Sequence, residues 1–176
     1  VASIDQSTCN LRLKVIRPSS KSDITPITLL LESSGHFDEE GVRFIEAKLV
    51  RHFETGDEGI WLTAEQDDTV VGVAHCDREA LANGTWNLLT LWVRPDCKRQ
   101  GHGTLLVRHL VEHLTMKDAR LLLVETSGLE SFAEARSFYA RVGFRQEAEI
   151  QDFFADGDAK VIFTMAMPIS TKASAS

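Results

Sequence analysis

The stretch "KRQGHGT", Lys98 to Thr104, decides how this chain is read. It follows the apolar run "WNLLTLWV" (86–93) and precedes "LLVRHLVEHL" (105–114). The first reads as a strand and the second repeats at helical spacing, so the stretch is a strand-to-helix joint. Two glycines one residue apart, behind a Lys–Arg pair, let a ligand approach bare backbone. The first amides of a helix have no partner within it. Together with the helix dipole they favour an anion, phosphate above all. The joint therefore reads as a seat for a phosphate-bearing ligand; a tight turn without a ligand is the plainer alternative. Two better-known phosphate loops are excluded. No GxxxxGK[ST] string occurs, and after Gly101 and Gly103 the third position of a GxGxxG fingerprint is Leu106.

Working outward, "LRLKVIRP" alternates from Leu11 to Ile16 as a first strand, with Pro18 after it. "SDITPITLLLESSG" predicts a short helix capped by Ser22 or Asp23. "DEEGVRFIEAKLVRHFETG" predicts a longer one, with Val42, Ile45, Leu49 and Phe53 on its apolar stripe. Its acids cluster at the start and Lys48, Arg51 and His52 lie near the end, as the dipole prefers. "GIWLTAEQ" and "TVVGVAHCD" form a hairpin across "DD", and "GTWNLLTLWV" is a third strand in succession. The helix expected over Thr104–Lys117 turns Leu106, Val107, Leu110, Val111 and Leu114 to one face. "ARLLLVET" is a strand apolar enough to be buried on both faces. "SFAEARSFYARVGF" is a helix closed by Gly143, and "GDAKVIFTMAMP" ends the fold as a strand. The order β-α-α-β-β-β-α-β-α-β-β implies a single α/β domain over residues 1–168, with a disordered tail at 169–176.

Bulk properties narrow the function. A net charge of −7 disfavours nucleic acid, whose binding rests on Lys and Arg meeting phosphates. No apolar run reaches membrane length, and the opening "VASIDQSTCN" lacks the charged start and apolar core of a secretory signal. Cys9, Cys76 and Cys97 are scattered, with no CxxC pair to suggest zinc or a disulfide framework. A cytoplasmic setting is expected. "HLVEH" (109–113) matches the HxxEH zinc pattern, but a solvated polar helix face is the preferred reading, so no metal is expected. "NGT" (83–85) is a glycosylation sequon that reads better as a turn between strands.

A second motif joins the first. "ARSFYARVGF" carries Ala135, Tyr139, Gly143 and Phe144 at the spacing A-x-x-x-Y-x-x-x-G-F. Together with Lys98–Gly103 and the preceding "WVRPDC", it resembles the GNAT N-acetyltransferase superfamily over roughly residues 11–168. That family's pyrophosphate loop reads about [QR]-x-x-G-x-[GA] between its fourth strand and third helix. Two positions depart from the pattern. Lys98 stands where Arg or Gln is usual, and Phe132 stands where an Asn often helps hold the pantetheine arm.

The resemblance implies a mixed, mostly antiparallel sheet of about six or seven strands, flanked by about four helices. It is splayed between strands four and five, here Trp86–Val93 and Arg120–Thr126. It implies acetyl-CoA as co-substrate, with its pantetheine arm beside Leu91, Trp92 and Val93. The pyrophosphate would sit on Lys98, Arg99, Gln100, Gly101, His102, Gly103 and Thr104. Tyr139, the only tyrosine, would serve the leaving thiolate as acid and lie against the co-substrate; the Leu91 amide would meet the oxyanion. Glu125 is the first choice for the base, with His75 and Asp77 as alternatives. The expected acceptor is a small primary amine such as an amino acid, attacking directly in a ternary complex. A protein N-terminus or lysine is the second choice, and a non-catalytic acyl-CoA sensor the third. The acceptor's walls are expected from residues 23–54 and the "DFFADGDAK" loop, with Phe37, Trp61, Phe153 and Phe154 as lining. A homodimer is left open, and neither nucleic acid nor membrane is expected as a partner.

Overall fold

The computed structural model describes residues 14–168. Eleven elements follow in the order read from the sequence: β1 (Lys14–Pro18), α1 (Ile24–Glu32), α2 (Glu39–Thr55), β2 (Ile60–Gln66), β3 (Thr69–Arg78), β4 (Thr85–Val93), α3 (His102–Met116), β5 (Leu121–Ser127), α4 (Ala133–Arg141), β6 (Arg145–Ala155) and β7 (Asp158–Ala166). Short 3-10 turns over Lys21–Asp23, Pro95–Cys97 and Glu130–Phe132 lead into α1, the joint before α3, and α4. The expected start of the first strand at Leu11 and the tail at 169–176 lie outside the described residues.

The strands form one sheet in the order β1-β2-β3-β4-β5-β7-β6. Every neighbouring pair is antiparallel except β4 and β5. The "DD" between β2 and β3 is a two-residue turn with Asp67 and Asp68 both left-handed, at φ 51° and 60°. Asn83–Gly84 turns the chain into β4, and the Gly84 carbonyl accepts from the amides of Arg120 and Leu121 at the start of β5.

Strand alternation divides the core into two layers. Trp61, Val73 and Trp92 face α1 and α2, where they meet Ile27, Leu31, Ile45 and Leu49. Leu62, Ala74, Leu88 and Val124 face the other way, onto Leu106, Leu110, Leu114 and Tyr139. Each such Leu contributes about 1.5–3 kcal/mol on full burial. Helix α2 starts where Asp38 Oδ1 accepts from the Gly41 amide at 2.8 Å. It stops at Gly56, left-handed at φ 63°. Asp23, one of the two expected caps, stands at the N-cap of α1, but its side chain makes no capping bond to the helix. Asp23 instead accepts from the Ser20 amide at 2.7 Å and takes both ends of the Arg17 guanidinium, at 2.6 and 2.8 Å. Arg17 also meets Glu65, so one cation ties β1 to α1 and β2.

The parallel ladder runs only from Thr85↔Leu121 to Leu88↔Val124. Beyond it, β4 continues to Val93 paired with β3 alone, and β5 continues to Ser127 paired with β7 alone. The strands part there. On its other side β4 carries a bulge: Cys76 pairs with Leu88 and His75 with Thr90, leaving Leu89 without an opposite residue.

Candidate active site

The joint after β4 is built by two unlike glycines. Gly101 caps α3 at φ +91°, and no heavy atom lies within 4 Å of where a Cβ would stand. Its backbone is open to a ligand. Gly103 sits inside the first turn, and a Cβ there would come within 3.2 Å of the Phe138 ring. That glycine lets α4 pack closely on α3. Helix α3 begins at His102, two residues before the sequence expectation. Its ladder opens with Leu105 N–H to Gly101 C=O at 2.9 Å, so the amides up to Thr104 stand outside it.

The side chains of the joint divide the work. His102 is 1% exposed and its Nε2 meets Gln66 Oε1 at 2.8 Å, pinning α3 to the end of β2. Burial and the Lys14 charge hold that imidazole below its usual pKa range, so its Nε2–H donates to Gln66. Only the His102 backbone remains for a ligand. The Gln100 amide donates to the Asp96 carbonyl at 2.9 Å and shapes the loop. Lys98 and Arg99 reach Glu134 at 3.9 and 3.7 Å, long contacts at the surface that an incoming anion can replace. Lys98 also lies 5.0 Å over the Trp92 ring. Trp92 itself turns toward α1 and α2 and packs on His36 and Phe37 at 4.7 and 6.0 Å between ring centres.

Tyr139 lies beside the parting of the strands. Its ring packs on Phe138, Phe144 and Phe163, and Phe163 is the register partner of Val124, where the ladder ends. The hydroxyl has no hydrogen-bond partner among the described residues. Burial pushes the phenol up to about 12, so it stays protonated at neutral pH.

On the opposite face of β4 a cavity of about 350 Å³ opens between α2 and the bulge. Gly41, Phe44, Ile45, Lys48, His75, Leu89 and Thr90 line it. A chain of polar contacts crosses its floor. His75 Nε2 meets Asp77 Oδ1 at 2.9 Å, and Lys48 Nζ donates to Asp77 Oδ2 at 2.5 Å. The His75 ring stacks flat on Trp61, 3.8 Å between centres at 9°.

A protein-family model described as "Acetyltransferase (GNAT) family" matches residues 27–144, more than half of the chain. The chain belongs to the GNAT acetyltransferase family. Its fold superposes on a protein from Desulfovibrio desulfuricans assigned to the GNAT family. The TM-score is 0.84 at 28% identity, over 88% of this chain and 99% of the other. The ribosomal-protein-S18-alanine N-acetyltransferase of Escherichia coli shares the fold at TM-score 0.74 and 16% identity, over 92% and 98% of the two chains. An aminoglycoside 6'-N-acetyltransferase solved with coenzyme A does so at 0.73 and 14%, over 88% and 98%. None of the curated protein sequences compared matches the chain.

The residues read from the GNAT motifs fall in three places. Leu91 to Val93, Lys98 to Thr104 and Tyr139 surround the strand parting and the α3 terminus. Glu125 lies on β5 beyond the ladder, with its carboxylate 2.7 Å from Lys160 Nζ. His75 and Asp77 come together at the α2 cavity with Trp61 beneath them. Phe37, Phe153 and Phe154 do not line that cavity, nor does the "DFFADGDAK" loop. The HxxEH histidines spend their Nδ1 atoms on their own helix: His109 on the Leu105 carbonyl and His113 on the His109 carbonyl. Among the described residues no cluster of three His, Cys, Asp or Glu side chains could hold a metal. No helix among them is long and apolar enough to cross a membrane.

Three contributors escaped the sequence reading. Lys48 is 29 residues from Asp77 and meets it only through the fold. Glu134 faces the joint from α4. Leu89 had a signal: the pair Leu88–Leu89 breaks the period of two. Trp86 and Leu88 before it, and Leu91 and Val93 after it, share one face only if a residue is looped out between them.

Proposed function

We propose that this chain moves the acetyl group of acetyl-CoA to the primary amine of a small molecule, such as an amino acid, by direct attack in a ternary complex. One observation carries the reading. The ladder end at Leu88 and Val124, the open α3 terminus at Gly101 and the cavity beside Leu89 and Thr90 lie on successive stretches of one strand and its joint.

The residues present fit the co-substrate. Amides up to Thr104 and the cations Lys98 and Arg99 meet a pyrophosphate, and Gly101 leaves room for it. The unpaired edge of β4 from Leu91 to Val93 offers backbone groups to an extended pantetheine arm. The coenzyme A held by the aminoglycoside acetyltransferase of the same fold supports this. Phe132 has no donor to replace the Asn common in the family, so β4 alone would hold the arm's amides. The Leu91 amide stabilises the oxyanion, and Tyr139 protonates the departing thiolate.

The α2 cavity suits an amine on an apolar body: Phe44, Ile45 and Leu89 supply apolar walls, and Lys48 a cation for a carboxylate. Its volume, about 350 Å³, matches a small molecule better than a length of polypeptide. A thiol-release screen with acetyl-CoA over apolar and polar amino acids, polyamines, aminoglycosides and short peptides tests this. Apolar amino acids or their amines should lead, and activity confined to peptides would overturn the small-molecule acceptor.

A further inference from the structure

We infer that His75, positioned by Asp77, takes the proton from the acceptor amine, and that Glu125 does not. This rests on the acetyl-transfer reading above and assigns the base within that site.

Three geometric observations meet at His75. The first is location. His75 pairs across β3 and β4 with Thr90, the residue before Leu91, and its ring lines the α2 cavity. An amine in that cavity is thus on the far side of β4 from the α3 and α4 layer, next to the amide expected to hold the oxyanion. The second is orientation. Stacking on Trp61 and the bond to Asp77 leave the ring no freedom to turn. Nε2–H donates to Asp77, so Nδ1 keeps its lone pair, and Nδ1 has no partner among the described residues. The third is charge. Lys48 holds the second oxygen of Asp77, which keeps that carboxylate ionised and fixed. The His75 hydrogen bond, joined by Lys48, outweighs burial, which opposes ionisation, and the Asp77 pKa falls well below the usual carboxylate range.

The charged groups around the ring are Asp77 on its own strand, Lys48 from α2 and Asp57 from the segment before β2. The facing residues on β2 and β4, Trp61 and Thr90, carry no charge. Burial lowers the His75 pKa more than Asp77 raises it, and the ring is neutral at pH 7. Glu125, by contrast, is bound to Lys160 and is absent from the cavity wall.

The step balances. His75 Nδ1 takes one proton from the acceptor ammonium and releases it to water. The freed nitrogen attacks, the C–N bond forms and the C–S bond breaks. Tyr139 gives its phenolic proton to the thiolate, and the second proton lost from nitrogen returns to the phenolate through water. The products are an N-acetylated amine, the free CoA thiol and one proton.

The test uses the full chain and its His75→Gln, Asp77→Asn and Glu125→Gln variants. Thiol release from acetyl-CoA is followed over about pH 5 to 8. The probes are L-leucine, L-phenylalanine and phenylethylamine, plus a run without amine in which water is the acceptor. Acetyl-CoA affinity and thermal midpoint are measured in parallel. The wild-type rate should fall as pH falls, with a midpoint below the ordinary imidazole range. His75→Gln should lower the rate on the order of 10²-fold or more at neutral pH and abolish that limb, with acetyl-CoA still bound. Asp77→Asn should move the limb to lower pH, because Asp77 helps the ring hold its proton. This also serves as the readout if His75→Gln does not fold. Glu125→Gln should keep the limb. A limb that survives His75→Gln, fails to move in Asp77→Asn, or vanishes in Glu125→Gln overturns the inference while the acetyl-transfer reading stands. Wild-type protein that releases no thiol with any probe or water overturns both.

Discussion

Replacing Gly101 by Ala separates a ligand seat from a mere turn, because its neighbour Gly103 supplies the control. At Gly101 the new methyl group meets no protein atom within 4 Å. Its cost is the strain of left-handed backbone at φ +91°, about 1–2 kcal/mol. At Gly103 the methyl group would stand 3.2 Å from two atoms of the Phe138 ring. Carbon atoms settle at about 3.5–4.0 Å, so α3 or the ring must give by a few tenths of an ångström. Overpacking costs roughly 1–3 kcal/mol, and alanine recovers up to about 1 kcal/mol over glycine within a helix. The two variants should therefore lose similar stability in urea unfolding, about 1–2 kcal/mol each. Their effects on CoA should differ. Only the Gly101→Ala methyl group enters the space beside the unpartnered amides, so calorimetric titration should show affinity falling about tenfold or more, or 1.4 kcal/mol. Gly103→Ala should change it by less than about threefold, since its methyl group faces Phe138. Unchanged CoA affinity in Gly101→Ala, or a greater loss in Gly103→Ala, would refute the placement of the pyrophosphate.

Tyr139→Phe keeps the ring contacts with Phe138, Phe144 and Phe163 and removes a hydroxyl without a protein partner. Stability should hold within about 0.5 kcal/mol while transfer slows on the order of 10²-fold and CoA affinity stays. Equal loss of binding and rate would sink the acid role. Glu134→Gln removes the carboxylate 3.9 and 3.7 Å from Lys98 and Arg99. CoA should bind about 2–5-fold more tightly at low salt, an advantage that fades as salt screens the cations. Weaker binding would mean that Glu134 instead orders the loop. For Asp23→Asn the measurement is stability against pH. Burial opposes ionisation of Asp23, but the hydrogen bonds from Arg17 and Ser20 outweigh it and hold its pKa below the usual range. A depressed pKa stabilises the fold above the unfolded value, about 3.9, and that stability is lost as pH falls through the folded value. The Asn variant should lose roughly 2–4 kcal/mol at neutral pH and show a flatter acid limb. An undiminished acid limb would place the acid-labile contact elsewhere.

What could be read without coordinates was local along the chain. The stripe Val42, Ile45, Leu49 declares α2 within its own residues, and the turns at Asp67–Asp68 and Asn83–Gly84 declare the meander. The proposed donor side of the site is of this kind, since strand, glycine joint and helix are consecutive from Thr85 to Met116. Even there the two glycines looked alike, and only the distant Phe138 tells them apart. The proposed acceptor side is assembled differently. Lys48 comes from α2, His75 and Asp77 from β3, and Leu89 and Thr90 from β4. Their meeting depends on register: the bulge at Leu89 sets which residues of β4 face α2. The end of "LLLV" was a sound guide to Glu125 being near the splay, but Lys160 arrives from β7, 35 positions later, by a pairing that no local pattern states. A sheet edge and a helix end are properties of neighbours in sequence, whereas a cavity wall is a property of neighbours in space. This is why the chain declares what it draws the acetyl group from more readily than where it delivers it.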